Sequence, residues 1–474
     1  MRCLALAGEL RSRGAQVVFL CRSLPGNLID SIEQQDYDCH RLPGIGLDSE
    51  LEDAETCLAL LTEAVDWLVV DHYSLGRVWE QAMRGRARHI LAIDDLADRA
   101  HDCDILLDQN LHPSAEARYA KLTEAGCRLL LGPRYALLRS EFARLRRAST
   151  ETASPVRRLL VFFGGGDAGN ETGRLLTALG LLDLSGMQVD VVVGGANPHY
   201  PALLEQCQHI GGNVHLHRQV DNMAELMAAA DLAVGAGGTA TWERLAVGLP
   251  SLVWAVADNQ RPGLAVLAAE GALASPSPDS LATPEGIAHH LYALLHNPAW
   301  RQALAQRGSQ LCDGRGAQRV AAVLLAGELH LRRAVRADCQ MLHEWRNHPE
   351  VRRYALDPSP IPYAQHEQWF QATLRQVDRI LLVGEAAGGQ PIGVLRYDLA
   401  GDEAEVSVYL RPECMGLGHG EAILRAGERW LAQEHPEIVR FKASIRAENA
   451  ASKAVFGRLG YKQAYGIYTK DMTR

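Results

Sequence analysis

The segment Gly416-Leu417-Gly418-His419-Gly420 follows an alternating, strand-like run at 406–410 and leads into a helical stretch. A helix that opens this way offers unpaired N–H groups and the positive end of its dipole, and glycines let a phosphate approach the backbone closely. Taken alone, strand–GxGxG–helix suits a plain tight turn as well as a diphosphate. Gly235-Ala236-Gly237-Gly238-Thr239 also runs straight into a helical stretch, Ala240-Thr241-Trp242-Glu243, and Gly164-Gly165-Gly166-Asp167 follows a third apolar run. A diphosphate at such a helix start gains its N–H bonds plus about 1 kcal/mol from the dipole. Glu243 lies one turn beyond Thr239 and could accept from ribose hydroxyls, while Asp258-Asn259-Gln260 opens the next helix. Glu405 and Ser407 stand on the run that enters the Gly416 loop. They are candidates for the base, or for holding the bridging water, that takes a proton from an attacking amine. The plain alternatives are a solvated strand charge at Glu405 and ordinary strand–helix connections at the glycines.

Three blocks of sequence must position these residues. The first, 1–148, alternates apolar runs at 17–21, 67–71, 90–94, 105–108 and 129–131 with helical stretches at 53–63 and 77–84. That alternation predicts a mostly parallel sheet with right-handed crossovers. The polar stretch 149–155 ends in proline and reads as a linker. The second block, 155–326, restarts the pattern with strands expected at 158–163, 189–193, 232–234 and 252–254. Two Rossmann-like halves in tandem follow, and in open parallel sheets ligands bind beyond the carboxyl ends of the strands. The third block, 329–474, carries helical stretches holding Trp345-Arg346-Asn347 and His366-Glu367-Gln368-Trp369-Phe370, then antiparallel strands at 380–385, 391–397 and 404–410. The fold class is therefore α/β, with an α+β domain appended.

Composition sets outer bounds. The chain has 474 residues, 48 basic against 57 acidic, for a formal charge of -9, with 47% hydrophobic and 22% charged residues. This is a soluble globular balance, and no basic run supports a nucleic-acid partner. No apolar run approaches the roughly 18 residues that span a bilayer. Ten cysteines without a CxxC pair point to a reducing cytoplasm and to no metal site.

The stretch Glu448-Asn449-Ala450-Ala451-Ser452-Lys453-Ala454-Val455-Phe456-Gly457-Arg458-Leu459-Gly460-Tyr461 resembles the GNAT acetyltransferase pattern N-x-x-S-x-x-x-[YF]-x-x-x-G-[FY]. Leu331-Arg332 and Trp345-Arg346-Asn347 resemble the front of that family, so the likeness covers the whole third block. It implies acetyl-CoA as acetyl donor and two parallel strands that splay to bind the pantetheine arm. It also implies pyrophosphate contacts at Gly416, Leu417, Gly418, His419 and Gly420, with Asn449 and Ser452 facing the cofactor arm. His366 and Trp369 look like substrate-side residues of sugar-acetylating members; the alternative for His366 is a helix-surface histidine. Two positions depart from the family. Glu413 replaces a usual Arg or Gln, and Phe456 replaces the usual tyrosine acid. A thiol leaving group with a pKa of roughly 8.5 barely needs that acid. Tyr461 and Tyr409 are the substitutes in view.

The run from Gly235 to Glu243, with Asp258-Asn259-Gln260, is similar to the nucleotide-sugar half of GT-B enzymes such as MurG. Asp71-His72-Tyr73, Ile93-Asp94-Asp95-Leu96-Ala97 and Cys103-Asp104-Ile105-Leu106-Leu107-Asp108-Gln109-Asn110 resemble the PseG family, UDP-sugar hydrolases of pseudaminic acid biosynthesis. The resemblance implies tandem GT-B halves and metal-free release of UDP from UDP-2,4-diacetamido-2,4,6-trideoxy-β-L-altropyranose. Tyr73 would line the cleft near the sugar. Gly165, Gly237, Gly238, Thr239, Glu243, Asn259 and Gln260 would hold the nucleotide sugar. That family opens with a strand, a glycine-rich loop and G-H-x-M-R, whereas Met1-Arg2-Cys3 begins inside the motif. The expectation is a true start upstream, with the first strand, the loop and the catalytic histidine missing here. A parallel sheet without that strand leaves backbone groups unpaired, each costing about 1–3 kcal/mol if buried. The alternative is a truncated half that binds UDP-sugar without hydrolysing it. His72 and His112 stand either as substitute bases or as hydrogen-bonded loop histidines.

The two resemblances suit each other. A PseH-like acetyltransferase would N-acetylate a UDP-linked 4-aminosugar, and the hydrolase would act on that product. The expected protein is bifunctional, with a UDP-linked aminosugar as its small-molecule partner. A GT-B glycosyltransferase with another acceptor remains a third alternative.

Overall fold

A computed structural model describes residues 1–24, 26–43, 49–147, 155–211, 213–325, 329–355, 357–386 and 389–462. The expected linker at 149–155 falls outside these residues except for Pro155. The chain forms two compact units, one of residues 1–9 and 17–317, the other of residues 10–16 and 318–474.

In the first unit, β1 (Val18–Arg22) and β2 (Asp38–Leu42) make a two-stranded parallel sheet. β3 (Val65–Asp71), β4 (Ala87–Ile93), β5 (Ile105–Asp108) and β6 (Arg128–Leu131) make a separate four-stranded parallel sheet in sequence order. The single sheet expected of this block is thus two; the smaller has a core of its own on one face and sends Leu20 and Leu42 into the core of the larger on the other. Phe19 and Cys21 pack with Leu4, Ala7, Ile32 and Tyr37, whereas Val70, Ile90, Ala92 and Leu106 pack with Trp79, Met83 and Tyr119.

β7 (Arg158–Phe162), β8 (Gln188–Val193), β9 (Val214–Arg218), β10 (Leu232–Ala236) and β11 (Ser251–Trp254) form an all-parallel sheet in the order β11-β10-β7-β8-β9. Leu159, Val161, Val189 and Val191 enter one core and Leu160, Val192 and Val253 the other. Burial on both faces explains why these strands read as unbroken apolar runs. The strand order reverses between β7 and β10, so their C-terminal loops flank one crevice.

The second unit is built on β12 (His330–Arg333), β13 (Arg379–Glu385), β14 (Pro391–Ala400), β15 (Glu403–Leu410) and β16 (Arg440–Lys442), paired in that order. All pairs are antiparallel except β15 with β16, which is parallel. One face packs on the helix His419–Glu434 through Leu382, Leu395, Tyr397, Ala404, Val406, Ile423 and Leu424. The other packs Leu381, Val383 and Val394 on Leu342, Trp345 and Phe370 of the helices Cys339–Asn347 and Tyr363–Thr373. This is the predicted α/β architecture with an appended α+β domain.

The strands at β2, β9 and β12 are short sheet edges: DCHRL and HLRR hold too few apolar residues to alternate, and VHLHR alternates over only Val214 and Leu216.

The loops after β7 and β8 touch backbone to backbone. A Cβ on Gly194 would lie 2.3 Å from Gly165 O and 2.7 Å from Gly165 Cα. Replacing Gly194 with alanine should destabilise the chain by about 1–3 kcal/mol. Chemical denaturation of G194A checks this, and an unchanged midpoint would refute the close approach.

Candidate functional site

In the second unit, β15 pairs with β16 only over Glu403–Arg440, Ala404–Phe441 and Glu405–Lys442. β15 then runs on to Leu410 along β14 alone, so its far edge is open from Val406 onward among the described residues. A 3₁₀ turn at Pro412–Cys414 leads to Gly416 at φ +76° and Gly418 at φ +90°, immediately before the helix His419–Glu434. Both conformations lie in the left-handed region that favours glycine. A helix start leaves its first amides without intrahelical partners. Here they meet an open strand edge, the arrangement an extended ligand with an anionic end requires.

Side chains around this turn temper its charge. Glu421 is buried and receives Arg458 Nε at 2.9 Å and Arg425 Nη2 at 3.3 Å. The His419 ring is buried, and burial pushes its pKa down to about 4, so it is neutral near pH 7. Its side chain therefore supplies no cation to a pyrophosphate; the amide is what it can offer. Asn449 caps the helix Ala450–Arg458, its Oδ1 accepting from Ser452 N at 3.0 Å, so that oxygen is already engaged. Phe456 is buried against Tyr461 with ring centroids 4.8 Å apart, and Tyr461 donates to Glu428 at 2.9 Å.

Glu405 and Ser407 stand two residues apart on β15 and share the face opposite Ala404 and Val406. Ser444 Oγ donates to Glu405 at 2.7 Å, and Ser407 lies across from Arg396. Tyr409 joins the same face beside Trp369; burial raises its pKa against the opposing pull of Arg346 and Arg396. His366 is an interior residue at 3% exposure, not a helix-surface one. Its ring lies 5.2 Å from His343 and 5.5 Å from Trp369, and its Nε2 has no hydrogen-bond partner among the described residues. Burial, then His343, pushes its pKa down. Sequence reasoning missed the clamp that sets this helix. Asn347 accepts from Ile361 N and donates to Ile361 O, both at 2.8 Å. Arg332, legible only as part of a motif, bridges Asp338 at 2.7 Å and Glu385 at 2.6 Å.

In the first unit, the turn after β10 is walled by neighbours. A Cβ on Gly235 would lie 2.1 Å from Phe162 O, and one on Gly237 would lie 2.5 Å from Leu264. Gly237 N donates to Trp254 O at 3.1 Å, so this amide is turned inward. Gly238 and Thr239 lead into the helix Ala240–Val247, and Gln260 Nε2 lies 3.8 Å from the Cβ position of Gly238. Asn259 is exposed beside it, and burial pushes the Glu243 carboxyl up. Asp167, by contrast, is a cap, accepting from Glu171 N and Thr172 N at 2.9 Å. The loops that carry Gly165 and Gly237 follow neighbouring strands, because β7 pairs with β10, which no spacing in the sequence reveals.

Tyr73 is 60% exposed just past β3. Its hydroxyl is held protonated more firmly than usual, chiefly by the Asp95 charge. Arg2 binds Asp71 through Nη2 at 2.6 Å and Nε at 3.0 Å; burial resists ionisation of Asp71, but Arg2 prevails and lowers its pKa. His72 accepts from Ser74 N at 3.1 Å, and His112 Nε2 lies 3.4 Å from Asp108, so both have structural neighbours. Beneath this strand end the sequence hid a buried pair, His101 Nδ1 at 2.7 Å from Glu80. No helix among the described residues is long and apolar enough to cross a membrane.

Residues 328–462 match the family described as "Acetyltransferase (GNAT) domain". This part of the chain is a GNAT domain, and the protein is an enzyme. Three curated relatives add detail. The Bacillus subtilis spore coat polysaccharide biosynthesis protein SpsG is 28% identical over 202 residues, 42% of this chain and 59% of SpsG. The Campylobacter jejuni UDP-2,4-diacetamido-2,4,6-trideoxy-beta-L-altropyranose hydrolase is 25% identical over 219 residues, 46% of this chain and 73% of the hydrolase. The Pseudomonas paraeruginosa L-methionine sulfoximine/L-methionine sulfone acetyltransferase is 36% identical over 114 residues, 22% of this chain and 62% of that protein. The chain thus spans less than two thirds of two of these relatives.

Two outcomes test the glycine turn of the GNAT domain. Gly418→Val forces a branched side chain into φ +90°. It should weaken acetyl-CoA binding about tenfold or more, read by calorimetric titration. The second concerns pH. The pKa of His419 is lower folded, about 4, than unfolded, 6.5, so the unfolded chain binds the extra proton between those values. Stability is full above pH 6.5 and falls as pH drops toward 4, by on the order of 3 kcal/mol. Denaturation midpoints of H419L should show a shallower pH slope over that window than the parent.

Proposed function

We propose that the chain is a bifunctional nucleotide-sugar enzyme that N-acetylates a UDP-linked 4-aminosugar with acetyl-CoA and hydrolyses the diacetamido UDP-sugar to free sugar and UDP. One observation carries the acetyl-transfer half: an open β15 edge runs into a left-handed glycine turn and a helix start, inside a matched GNAT domain. That cradle fits acetyl-CoA, because backbone amides can take a pyrophosphate and the open strand edge can pair with an amide-bearing arm. When bound, acetyl-CoA supplies an activated acetyl group. Gly416, Leu417, Gly418, His419 and Gly420 hold the diphosphate, with Ser452 alongside. Asn449 contributes by fixing the helix that carries Ser452.

An attacking amine must be neutral. Glu405, seated by Ser444, takes its proton directly or through a water that Ser407, on the same strand face, holds. His366 and Trp369 form one wall on the sugar side. For hydrolysis, Gly165, Gly238, Thr239, Glu243, Asn259 and Gln260 grip the UDP portion at the β7–β10 crevice, while Gly237, its amide spent on Trp254 O, shapes the turn. Tyr73 lines the sugar side of the other sheet. The likeness to the Campylobacter hydrolase over 73% of its length supports this half. A second reading follows from the 36% identity to a sulfoximine acetyltransferase, which favours a small amino-acid amine as acceptor.

Incubation with acetyl-CoA and a UDP-4-aminosugar should release free thiol, and the amino-acid sulfoximine should not; the reverse selects the second reading. Glu405→Gln should lower kcat about a hundredfold. Full activity of E405Q removes Glu405 from the mechanism. Supplying the acetylated UDP-sugar should yield UDP in water alone. No release selects a binding module, and release only with a second sugar selects a glycosyltransferase.

A further inference from the structure

Arg244 and Arg301 are the largest side chains sealed inside the first unit, Arg244 at 2% exposure. Arg244 belongs to the helix Ala240–Val247 that follows the glycine turn. Helical side chains lean toward the N-terminus, and this one runs back beneath the turn. Its Nη2 donates to Ala236 O at 2.8 Å and to Thr241 Oγ1 at 3.1 Å, and a Cβ on Gly235 would sit 2.9 Å from its Nη1. Both acceptors are neutral, and Nε has no hydrogen-bond partner among the described residues. The adjacent Glu243 reaches it only through space, and burial draws that carboxyl toward its neutral form.

This placement is unfavourable in an empty turn. A buried cation lacking a bonded carboxylate is costly, and the N-terminal end of a helix is already positive. Burial accordingly pulls the guanidinium pKa down to about 10, still charged at neutral pH. Arg301 makes the contrast. It too is fully buried, but it donates to Leu294 O and Leu295 O at the C-terminal end of a helix, where a cation is welcome. At Arg244 two positive features converge on the same few amides, and the group that would relieve both is an anion lying on Gly238 and Thr239.

We propose that Arg244 is a positioning residue for a nucleoside diphosphate: from beneath the Gly235–Thr239 turn it braces the Ala236 carbonyl and supplies the buried counter-charge that makes the site prefer a diphosphate over an uncharged nucleoside. The inference rests on the nucleotide-sugar reading above. It assigns Arg244 no contact with the ligand; the charge acts through the turn.

The test is calorimetric titration of the full chain with UDP and with uridine, for the parent, R244M, R244Q and R244K. In the parent UDP should bind more tightly than uridine. R244M and R244Q should lose roughly tenfold or more of that preference while uridine binding stays level, and R244K should keep it. R244Q, which can still donate to the Ala236 carbonyl, should keep a thermal midpoint closer to the parent's than R244M, which cannot. Folded R244M or R244Q with the parental UDP-to-uridine ratio overturns the inference and leaves the nucleotide-sugar reading standing. So does a variant that loses stability and binds both ligands equally worse, which marks a merely structural residue. Should both neutral variants fail to fold, a folded R244K that loses the preference overturns it. A parent that binds no UDP overturns the reading and the inference together.

Discussion

A backbone turn is open to approach only where no side chain covers it, and glycine leaves two strand-end turns without one. In the first unit the constraint is steric from below. Phe162 O, Leu264 and Arg244 fill the space that any Cβ at Gly235 or Gly237 would need. In the second unit it is conformational. Gly416 and Gly418 both take positive φ, so the turn exists only because those residues lack a Cβ. Each turn depends on a sheet that holds the preceding strand rigid, and each sheet is buried on both faces to do so.

Each turn has a buried arginine bonded to one of its carbonyls, but their other neighbours differ. Beneath Gly235–Thr239 sits a sealed cation with neutral hydrogen-bond partners. Beside Gly416–Gly420, Arg319 Nε donates to Gly416 O at 2.8 Å, Glu421 is neutralised by Arg458 and Arg425, and burial keeps His419 uncharged. This second turn also adjoins the open edge of β15, which suits a long cofactor recognised along its length.

Several motif residues have structural work that accounts for their identity. Asp167 and Asn449 cap helices, Asn347 clamps Ile361, and Arg332 ties β12 to Asp338 and Glu385. These side chains set the geometry of the turns and helices that carry the chemistry. A functional reading that assigned each of them a ligand would count the same atoms twice.

Much of the fold was legible because long apolar runs punctuated by glycine mark buried parallel strands, and because Glu448–Tyr461 carries a spaced pattern. The strand–glycine–helix turns, the order of elements and the GNAT domain all follow from local sequence. The edge strands β2, β9 and β12 did not, since half-exposed positions tolerate His and Arg and leave too few apolar residues to mark a strand. Strand order, which makes β7 and β10 neighbours, was equally hidden, as were the burial of His366, the Asn347 clamp and the solitary charge of Arg244. Local sequence determines backbone conformation because that depends on a residue and its near neighbours. Only the tertiary structure decides which side chains lose water and which charges lose their partners, because both depend on atoms that meet across long stretches of chain.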